Sequence, residues 1–273
     1  MKGPLVSVCI PSYNNTEYIL ETINCILSQS YKNIELIVVD DNSSDGTYEL
    51  VQSVKDKRLK VYKNGTNLGM AGNWNRCLEL CSGKYMKLMC ADDLIHKRLI
   101  EKEVAIMEAH PEVNLVSTDT KFIDVHGEGR GYYRRYFKYG VIDGIEASRF
   151  SIFTRDYLGA PLANMIRRSA YDKLGGFDET FHYIVDYDFF MKLYNYGKVY
   201  IVHKPVNYFR IRDDSNTGQV LGGGEERRYI AEHRKLVEKY ADDLGLANWQ
   251  VELSVLIRKL TSVLGAIYLH IKL

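Results

Sequence analysis

Short apolar runs alternate with segments of helical periodicity through the first third of the chain, and this alternation restricts the fold more than any other feature. The runs Leu5–Ile10, Ile34–Val39 and Tyr85–Met89 have the length and composition of buried strands. Between the first two, apolar residues from Ile19 to Leu27 recur at the spacing of an amphipathic helix. Strands that alternate with helices predict an α/β fold with a parallel sheet, in which ligands bind beyond the carboxyl ends of the strands.

The second half of the chain mixes strand-like and helical segments in a less regular order. Leu115–Thr118 and Leu162–Ile166 are strand candidates, and Val185–Tyr196 has the periodicity of a helix. The other segments are an irregular Tyr-rich stretch (127–139), two β-like runs (Val199–Val202 and Val206–Ile211), a polar loop (213–224) and a helical region from Glu225 with a break near Gly245. Neither half contains an internal repeat or a low-complexity segment.

The charge balance and the cysteine pattern exclude several classes of protein. The 273 residues carry a formal net charge of +1, with 46% hydrophobic and 26% charged residues, which is typical of a globular chain and not of a nucleic-acid-binding protein. The five cysteines form no C-x-x-C pair, which argues against a disulfide framework or a zinc site. Neither a secretory signal nor an unbroken apolar span is visible, so we expect a cytoplasmic protein, with peripheral contact at the inner face of the membrane as an option.

Two pairs of adjacent acidic residues follow predicted strands. Asp40-Asp41 ends the second strand, and Asp92-Asp93 comes just after the run that ends at Met89. Adjacent carboxylates repel each other, and a Mg²⁺ or Mn²⁺ ion that carries a diphosphate would compensate their charge. Acidic residues are also favoured at helix N-termini, which is the alternative role for Asp92-Asp93, and the same pattern at Asp40-Asp41 weakens that alternative. The chain lacks both the G-x-G-x-x-G and the G-x-x-x-x-G-K-[ST] motifs, which disfavours a dinucleotide enzyme and a P-loop kinase.

Several segments resemble, in the same order, the motifs of family 2 glycosyltransferases. They are V-S-V-C-I-P-S-Y-N-N-T-E-Y-I (6–19), N-I-E-L-I-V-V-D-D-N-S-S-D-G-T (33–47), N-L-G-M-A-G-N-W-N-R-C-L (67–78), G-K-Y-M-K-L-M-C-A-D-D (83–93), R-R-S-A-Y-D-K-L-G-G-F-D-E (167–179) and V-D-Y-D-F-F-M-K-L (185–193). The resemblance covers about residues 5–215 and implies the GT-A fold, an α/β/α sandwich with a mostly parallel central sheet. It implies a glycosyltransferase domain (1–218), with a nucleotide-binding half (1–95) and an acceptor-binding half (96–218), followed by a C-terminal helical segment (219–273).

The resemblance also implies roles for individual residues. Tyr13 would stack on the base, Asp41 would accept a ring N–H of the base, and Asp93 would hold the Mg²⁺ or Mn²⁺ ion. Asp92 would contact the ribose or the sugar. The other implied nucleotide-binding residues are Pro11, Asn14, Asn67, Gly69, Asn73 and Arg212. A carboxylate can accept the imide N–H of uracil or thymine, so a UDP- or dTDP-sugar is favoured, while a GDP-sugar stays open.

Asp186 matches the catalytic base of the family. Transfer from a nucleoside diphosphate needs a base for the acceptor hydroxyl and no general acid, and one carboxylate opposite a metal-bound diphosphate implies inversion. Without the family context, a helix N-cap is the alternative role for Asp186. Two positions depart from the family pattern, because Val185 replaces the usual Glu and Arg212 stands at the usual His. Either Arg212 clamps the diphosphate, or His203 supplies a metal ligand, or Arg212 is a surface residue.

These features predict an inverting, metal-dependent glycosyltransferase that acts on a glycan or lipid-linked hydroxyl acceptor in cell-surface polysaccharide or glycan assembly. One alternative is a catalytically silent subunit that binds a sugar nucleotide, which the departures at Val185 and Arg212 would suit. Another is a sugar-phosphate nucleotidyltransferase, whose Gly-rich, basic N-terminal signature is absent. The stretch Trp249–Leu273 has apolar residues at helical spacing, and we expect it to dock on the core, to pair in a homodimer or to lie on a membrane surface.

Overall fold

A mixed β-sheet forms the centre of the structure, a computed structural model that describes residues 3–134, 136–212 and 225–272. The strands in chain order are β1 Val6–Ser12, β2 Ile34–Asp40, β3 Leu59–Lys63, β4 Tyr85–Leu88, β5 Leu94–Ile95, β6 Val113–Ile123, β7 Gly129–Tyr133, β8 Gly140–Asp143, β9 Asn164–Arg167 and β10 Lys198–Arg210. Eight of them lie in the order β3-β2-β1-β4-β9-β6-β10-β5, while β7 pairs with β6 and β8 pairs with β10. The neighbours from β3 to β4 are parallel, as are β6 and β10, and the pairs that involve β5, β7, β8 or β9 are antiparallel.

Helices cover both faces of this sheet. They are α1 Ile19–Leu27, α2 Thr47–Gln52, α3 Gly69–Glu79, α4 Leu99–Ala109, α5 Gly144–Ile152, α6 Arg168–Leu174, α7 Val185–Asn195, α8 Glu226–Lys239 and α9 Asn248–Lys272, with a 3₁₀ turn at Pro161–Ala163. Because successive strand residues point to opposite faces, Val8 and Ile10 of β1 pack with α1 and α4, whereas Cys9 packs with α3 and α7. The three layers confirm the predicted α/β class.

The parallel register brings the loops after β1, β2 and β4 to one edge of the sheet. Cys9 lies between Ile37 of β2 and Leu88 of β4, and Ser12 faces Asp40 where β1 and β2 end. The acidic pairs at the ends of β2 and β4 therefore emerge at the same edge, where the sequence predicts the ligand site.

The second half of the chain differs from the sequence prediction in several places. β10 is one strand with a register shift between Val202 and Asn207, where two separate strands are predicted. β6 is longer than predicted, because it pairs with β9, β10 and β7 along different parts of its length. The Tyr-rich stretch contributes β7, an antiparallel partner of β6. The predicted polar loop 213–224 lies outside the described residues.

The C-terminal helices α8 and α9 dock on the rest of the chain through one face. Ser254 of α9 donates to the Ile152 carbonyl at 2.8 Å and lies 3.0 Å from His233 Nε2 of α8. The opposite face of α9 exposes large apolar side chains at Trp249, Leu253, Leu256 and Leu260. Across the described ranges, no helix combines the length and the apolar character needed to cross a membrane. Docking is thus observed, while a homodimer, a membrane contact and the domain boundary at 218 stay predictions.

Candidate active site

The loop after β1 places an exposed aromatic ring at the carboxyl edge of the sheet. Tyr13 is 51% exposed, so a face of its ring is accessible to a ligand. Asn14 has a left-handed backbone (φ 50°), its side-chain oxygen accepts the Ser44 N–H at 3.0 Å, and its own N–H donates to Ser43 Oγ. Pro11 is buried in β1 beyond the last β1–β4 pair, so its missing N–H removes no bond on that side of the ladder. These contacts hold the Tyr13 loop against the loop after β2.

Asp41 is buried and joins three segments of the chain. Its Oδ1 accepts the side-chain amide of Asn64 at 2.7 Å and the Leu68 N–H at 2.8 Å, and its own N–H donates to the Ser12 carbonyl. The Asn64 amide also donates to Asn73 Oδ1 at 3.1 Å, and the Asn73 amide donates to a carbonyl of β2. The predicted nucleotide-binding residues Asp41 and Asn73 therefore belong to one buried network.

The turn before α3 is closed by a local bond. Asn67 Oδ1 accepts the Gly69 N–H at 2.8 Å, and Gly69 has φ +75°, a conformation that favours glycine. Both residues are exposed and lie next in sequence to Leu68, whose N–H binds Asp41. Their part in nucleotide binding stays a prediction.

The acidic pair Asp92–Asp93 follows β4 and is largely withdrawn from water. Asp93 is 1% exposed, and its Oδ1 accepts the backbone N–H of Arg210 at 3.0 Å. Its Oδ2 is buried and makes no hydrogen bond within the described part of the chain. Burial and the adjacent charge of Asp92 raise the pKa of Asp93 well above its usual range, and burial raises the pKa of Asp92 against the opposing charge of Arg212. A cation at this pair would offset the cost of burying two adjacent carboxylates.

Two arginines at the end of β10 lie against this pair. Arg212 Nη1 lies 3.1 Å from Asp92 Oδ2 in an ion pair. Arg210 is 3% exposed and bonds through all three guanidinium nitrogens: Nε donates to the Asp92 carbonyl, Nη1 to two carbonyls of the loop after β6, and Nη2 to the Glu21 carboxylate. Both guanidinium groups lie over the ring of Tyr18. Arg210 therefore fixes the backbone of the acidic pair, while Arg212 forms an ion pair with the carboxylate of Asp92.

Asp186 lies in the first turn of α7, and backbone donors orient its carboxylate. Oδ2 accepts the Ala160 N–H at 3.0 Å, and Oδ1 accepts the Tyr187 N–H at 2.9 Å. Ala160 has φ 62°, which is uncommon for a residue with a side chain. At Gly159 a Cβ would lie 2.3 Å from a carboxylate oxygen of Asp156 and 3.0 Å from Asp186 Oδ2. The loop thus adopts a strained backbone where it meets the predicted base, as loops at functional sites often do.

The carboxylates of the acidic pair and of Asp186 all act electrostatically on the thiol of Cys90. The pKa of its thiol is raised well above the usual value, first by burial and then by the carboxylates of Asp93, Asp92 and Asp186. All three carboxylates therefore lie within electrostatic range of one side chain, although Asp186 comes from a different element. The predicted metal ligand and the predicted base therefore lie in the same part of the molecule, and their roles in one site stay a prediction.

His203 has other partners. Its Nδ1 lies 3.3 Å from Asp119 Oδ2, and its ring lies 6.0 Å from that of Tyr139. In the part of the chain that the structure describes, no contact joins His203 to Asp93. Of the two residues considered for the diphosphate or metal site, Arg212 is the one that contacts the acidic pair.

A divalent cation fits the acidic pair through its carboxylate oxygens. Mg²⁺ and Mn²⁺ prefer such oxygens, and the buried, unpartnered Oδ2 of Asp93 is an atom that a cation would satisfy. No group of three or more His, Cys, Asp or Glu side chains suited to a metal ion occurs among the residues described. Phosphate oxygens of a nucleotide would have to complete the coordination, as is common for Mg²⁺.

Comparison with known proteins identifies the family. A sequence profile of Glycosyl transferase family 2 matches residues 7–175, which is more than half of the chain. The chain belongs to glycosyl transferase family 2. The predicted enzyme class, a glycosyltransferase, is confirmed, and a nucleotidyltransferase no longer competes with it.

Two relatives and one solved structure show how far the similarity of this glycosyltransferase extends. An uncharacterised glycosyltransferase of Rickettsia typhi is 31% identical over 225 residues, which are 82% of this chain and 69% of that one. The UDP-Glc:alpha-D-GlcNAc-diphosphoundecaprenol beta-1,3-glucosyltransferase WfaP of Escherichia coli is 38% identical over 104 residues, which are 38% of this chain and 41% of WfaP. The crystal structure of S. aureus TarS 1-349 in complex with UDP-GlcNAc superposes with a TM-score of 0.67 and 25% identity, over 84% of this chain and 66% of that one. The predicted GT-A fold is confirmed, and this chain spans less than two thirds of the TarS chain and less than half of WfaP.

Sequence reasoning missed several residues of the site. Asn64 and Ala160 carry no local signal, because their importance depends on partners 23 and 26 residues away in the chain. Arg210 did carry one, since an arginine inside the apolar run Val206–Ile211 must find partners for a buried charge.

Proposed function

We propose that this glycosyltransferase moves a sugar from a UDP- or dTDP-sugar to a hydroxyl acceptor, with inversion at the anomeric carbon and with a Mg²⁺ or Mn²⁺ ion at Asp93. The observation that carries the proposal is that the carboxylates of Asp92, Asp93 and Asp186 all lie within electrostatic range of Cys90. In-line transfer from a nucleoside diphosphate requires a base on one side of the sugar and charge compensation on the other. We assign the base to Asp186 and the charge compensation to a cation at Asp93.

The nucleotide would lie at the carboxyl edge of the sheet. The accessible ring of Tyr13 would stack on the base, and Asp41 would accept an N–H of the base. The other residues proposed for this pocket are Pro11, Asn14, Asn67, Gly69 and Asn73. The UDP-GlcNAc of the TarS complex and the UDP-Glc named for WfaP support a UDP-sugar as the donor.

The chain's own groups account for the transfer step. A cation bound at Asp93 would neutralise the negative charge that develops on the departing diphosphate. Asp186 removes the proton of the acceptor hydroxyl as that oxygen bonds to the anomeric carbon, while the bond to the diphosphate oxygen breaks and its electron pair stays with the diphosphate. The N–H groups of Ala160 and Tyr187 hold the carboxylate in place for this proton transfer. Arg212, which pairs with Asp92, would bring its guanidinium to the diphosphate.

The acceptor we propose is a glycan, free or lipid-linked, of a cell-surface polysaccharide. WfaP acts, by its name, on GlcNAc linked to diphosphoundecaprenol, which supports this class of acceptor. Such acceptors are extended at a membrane, which is in keeping with a cytoplasmic enzyme that works at the inner membrane face.

Turnover of a panel of donors tests the proposal. Release of the nucleoside diphosphate from UDP-, dTDP- and GDP-sugars is measured with Mn²⁺, with Mg²⁺ and with EDTA. We expect release from a UDP- or dTDP-sugar that EDTA abolishes and that Asp93→Asn and Asp186→Asn each reduce by about a hundredfold or more. Asp172→Asn, the same substitution at an exposed residue, should leave the rate unchanged. UDP binding without release from any sugar would support the silent subunit instead.

A further inference from the structure

Arg258, on the C-terminal helix α9, is buried without the partners that a buried arginine needs. It is 4% exposed, and its Nη1 donates to the Tyr229 hydroxyl at 3.4 Å. Its Nε and Nη2 are buried and make no hydrogen bond to any described residue, and it forms no ion pair there. Arg210, which is equally buried, bonds through every guanidinium nitrogen. The chain is therefore able to satisfy a buried arginine fully and does not do so at Arg258.

Arg258 lies near the residue that we propose as the base for the acceptor hydroxyl. Its guanidinium carbon lies 5.9 Å from the centre of the Tyr187 ring, and Tyr187 follows Asp186 in the first turn of α7. The carboxylates of Asp156 and Asp186 are close to each other, since both flank the position of a Cβ at Gly159. Arg258 thus lies at the end of α7 that carries the predicted base.

A buried guanidinium with two nitrogens that have no internal acceptor is suited to an anionic ligand. A guanidinium presents parallel N–H groups that match the two oxygens of a phosphate or a carboxylate. The carboxylate of Asp156 lies within electrostatic range of Arg258, but no hydrogen bond joins the two among the described residues, and its Oδ1 accepts the N–H groups of Leu158 and Gly159. Tyr229 is only partly buried and bonds to Arg258, so a shift of its side chain would open the guanidinium to a ligand.

We propose that Arg258 and Tyr229 form an acceptor subsite that binds an oxyanion group carried by the acceptor, next to the sugar whose hydroxyl Asp186 deprotonates. This inference rests on the proposed function. It gives the C-terminal helical segment a direct part in acceptor selection, beyond docking on the core. The subsite would also make the enzyme selective for charged acceptors. A sugar that is linked to a diphosphate or carries a carboxylate is preferred over the same sugar as a neutral glycoside.

Acceptor kinetics test the subsite. The acceptors are a sugar linked through a diphosphate to a short alkyl chain and the alkyl glycoside of the same sugar, and hydrolysis of the donor by water is the basal activity. Arg258→Gln should raise KM for the diphosphate acceptor at least tenfold and should leave kcat, donor hydrolysis and the KM of the neutral glycoside within about twofold. Arg258→Lys should fall between Arg258→Gln and the parent. Arg234→Gln, which removes a partly exposed arginine on α8, should have no effect.

The results distinguish failure of the subsite from failure of the proposed function. An equal change of KM for both acceptors, or no change, overturns the subsite and leaves the proposed function standing, whereas absence of donor turnover in the parent protein refutes the proposed function itself. Direct titration of the parent protein and of Arg258→Gln with the diphosphate acceptor measures binding without turnover. Equal affinity of the two proteins for this acceptor would also overturn the subsite. If Arg258→Gln does not fold, Arg258→Lys and Tyr229→Phe decide by the same comparison. Competition by inorganic phosphate that raises KM only for the diphosphate acceptor would support an oxyanion site, and competition against both acceptors would count against it.

Discussion

Replacement of Arg210 by methionine should lower the free energy of unfolding by an amount that follows from the contacts of Arg210. The substitution leaves three carbonyl acceptors without their donor and removes the bond to the Glu21 carboxylate, while a long apolar side chain is kept. Each of the three acceptors is partly exposed and loses about 0.5–1 kcal/mol with its donor, and the half-exposed Glu21 pair contributes up to about 1 kcal/mol. We therefore expect the free energy of unfolding to fall by about 2–4 kcal/mol, a large share of the roughly 5–15 kcal/mol available to a folded chain.

Urea denaturation followed by tryptophan fluorescence measures this loss, because Trp74 is buried at 8% exposure and changes its surroundings on unfolding. The matched control is Arg130→Met, since Arg130 pairs with Asp124 in the loop that Arg210 also contacts but is 62% exposed. The control should lose less than about 1 kcal/mol. Similar losses in the two variants would refute the view that Arg210 holds the acidic pair in place.

Three further results are expected. His233 is buried, and burial together with the charge of Arg258 lowers its pKa to about 3, so the unfolded chain takes up a proton before the native one does. The free energy of unfolding should therefore fall as pH drops from about 6.5 towards 3, by up to about 1.4 kcal/mol per pH unit. His233→Gln should flatten that slope in urea titrations at several pH values. Tyr13→Ala should weaken UDP binding by about 1–3 kcal/mol in calorimetry through loss of stacking, whereas Tyr13→Phe should bind as the parent does; equal weakening in both would count against stacking. Lys87→Met leaves the buried Glu103 without its 2.8 Å partner and should cost about 3–5 kcal/mol of unfolding free energy; a loss below about 1 kcal/mol would show that the pair is not buried as described.

The first half of the fold could be predicted from sequence because its signals are local. Runs such as Ile34–Val39 are apolar except for Glu35, as is typical of parallel strands covered on both faces, and the acidic pairs lie where those runs end. The candidates Tyr13, Asp41, Asp93 and Asp186 came from motifs with the same local character, and the structure places all of them where the sheet ends or where α7 begins.

The remainder of the site depends on contacts between distant segments, which periodicity does not report. Arg210 reaches the acidic pair across 118 residues of sequence, and Ala160 reaches Asp186 across 26, with an alanine and not a glycine at the position of positive φ. β10 was predicted as two strands because the run between Val202 and Val206 is interrupted by polar residues, whereas pairing with β6 on either side of a register shift keeps it in one strand.

The separation of binding from turnover in the two carboxylate variants tests most directly whether the acidic pair and Asp186 form one active site. UDP affinity is measured by calorimetry with and without Mn²⁺, and release of UDP from the preferred UDP-sugar is measured in parallel. Asp186→Asn should bind UDP with Mn²⁺ as the parent does and lose about 10²–10⁴ in turnover, whereas Asp93→Asn should lose the increase in affinity that Mn²⁺ provides. Turnover in Asp186→Asn within tenfold of the parent, or Mn²⁺-dependent binding retained by Asp93→Asn, would contradict the roles assigned to these residues.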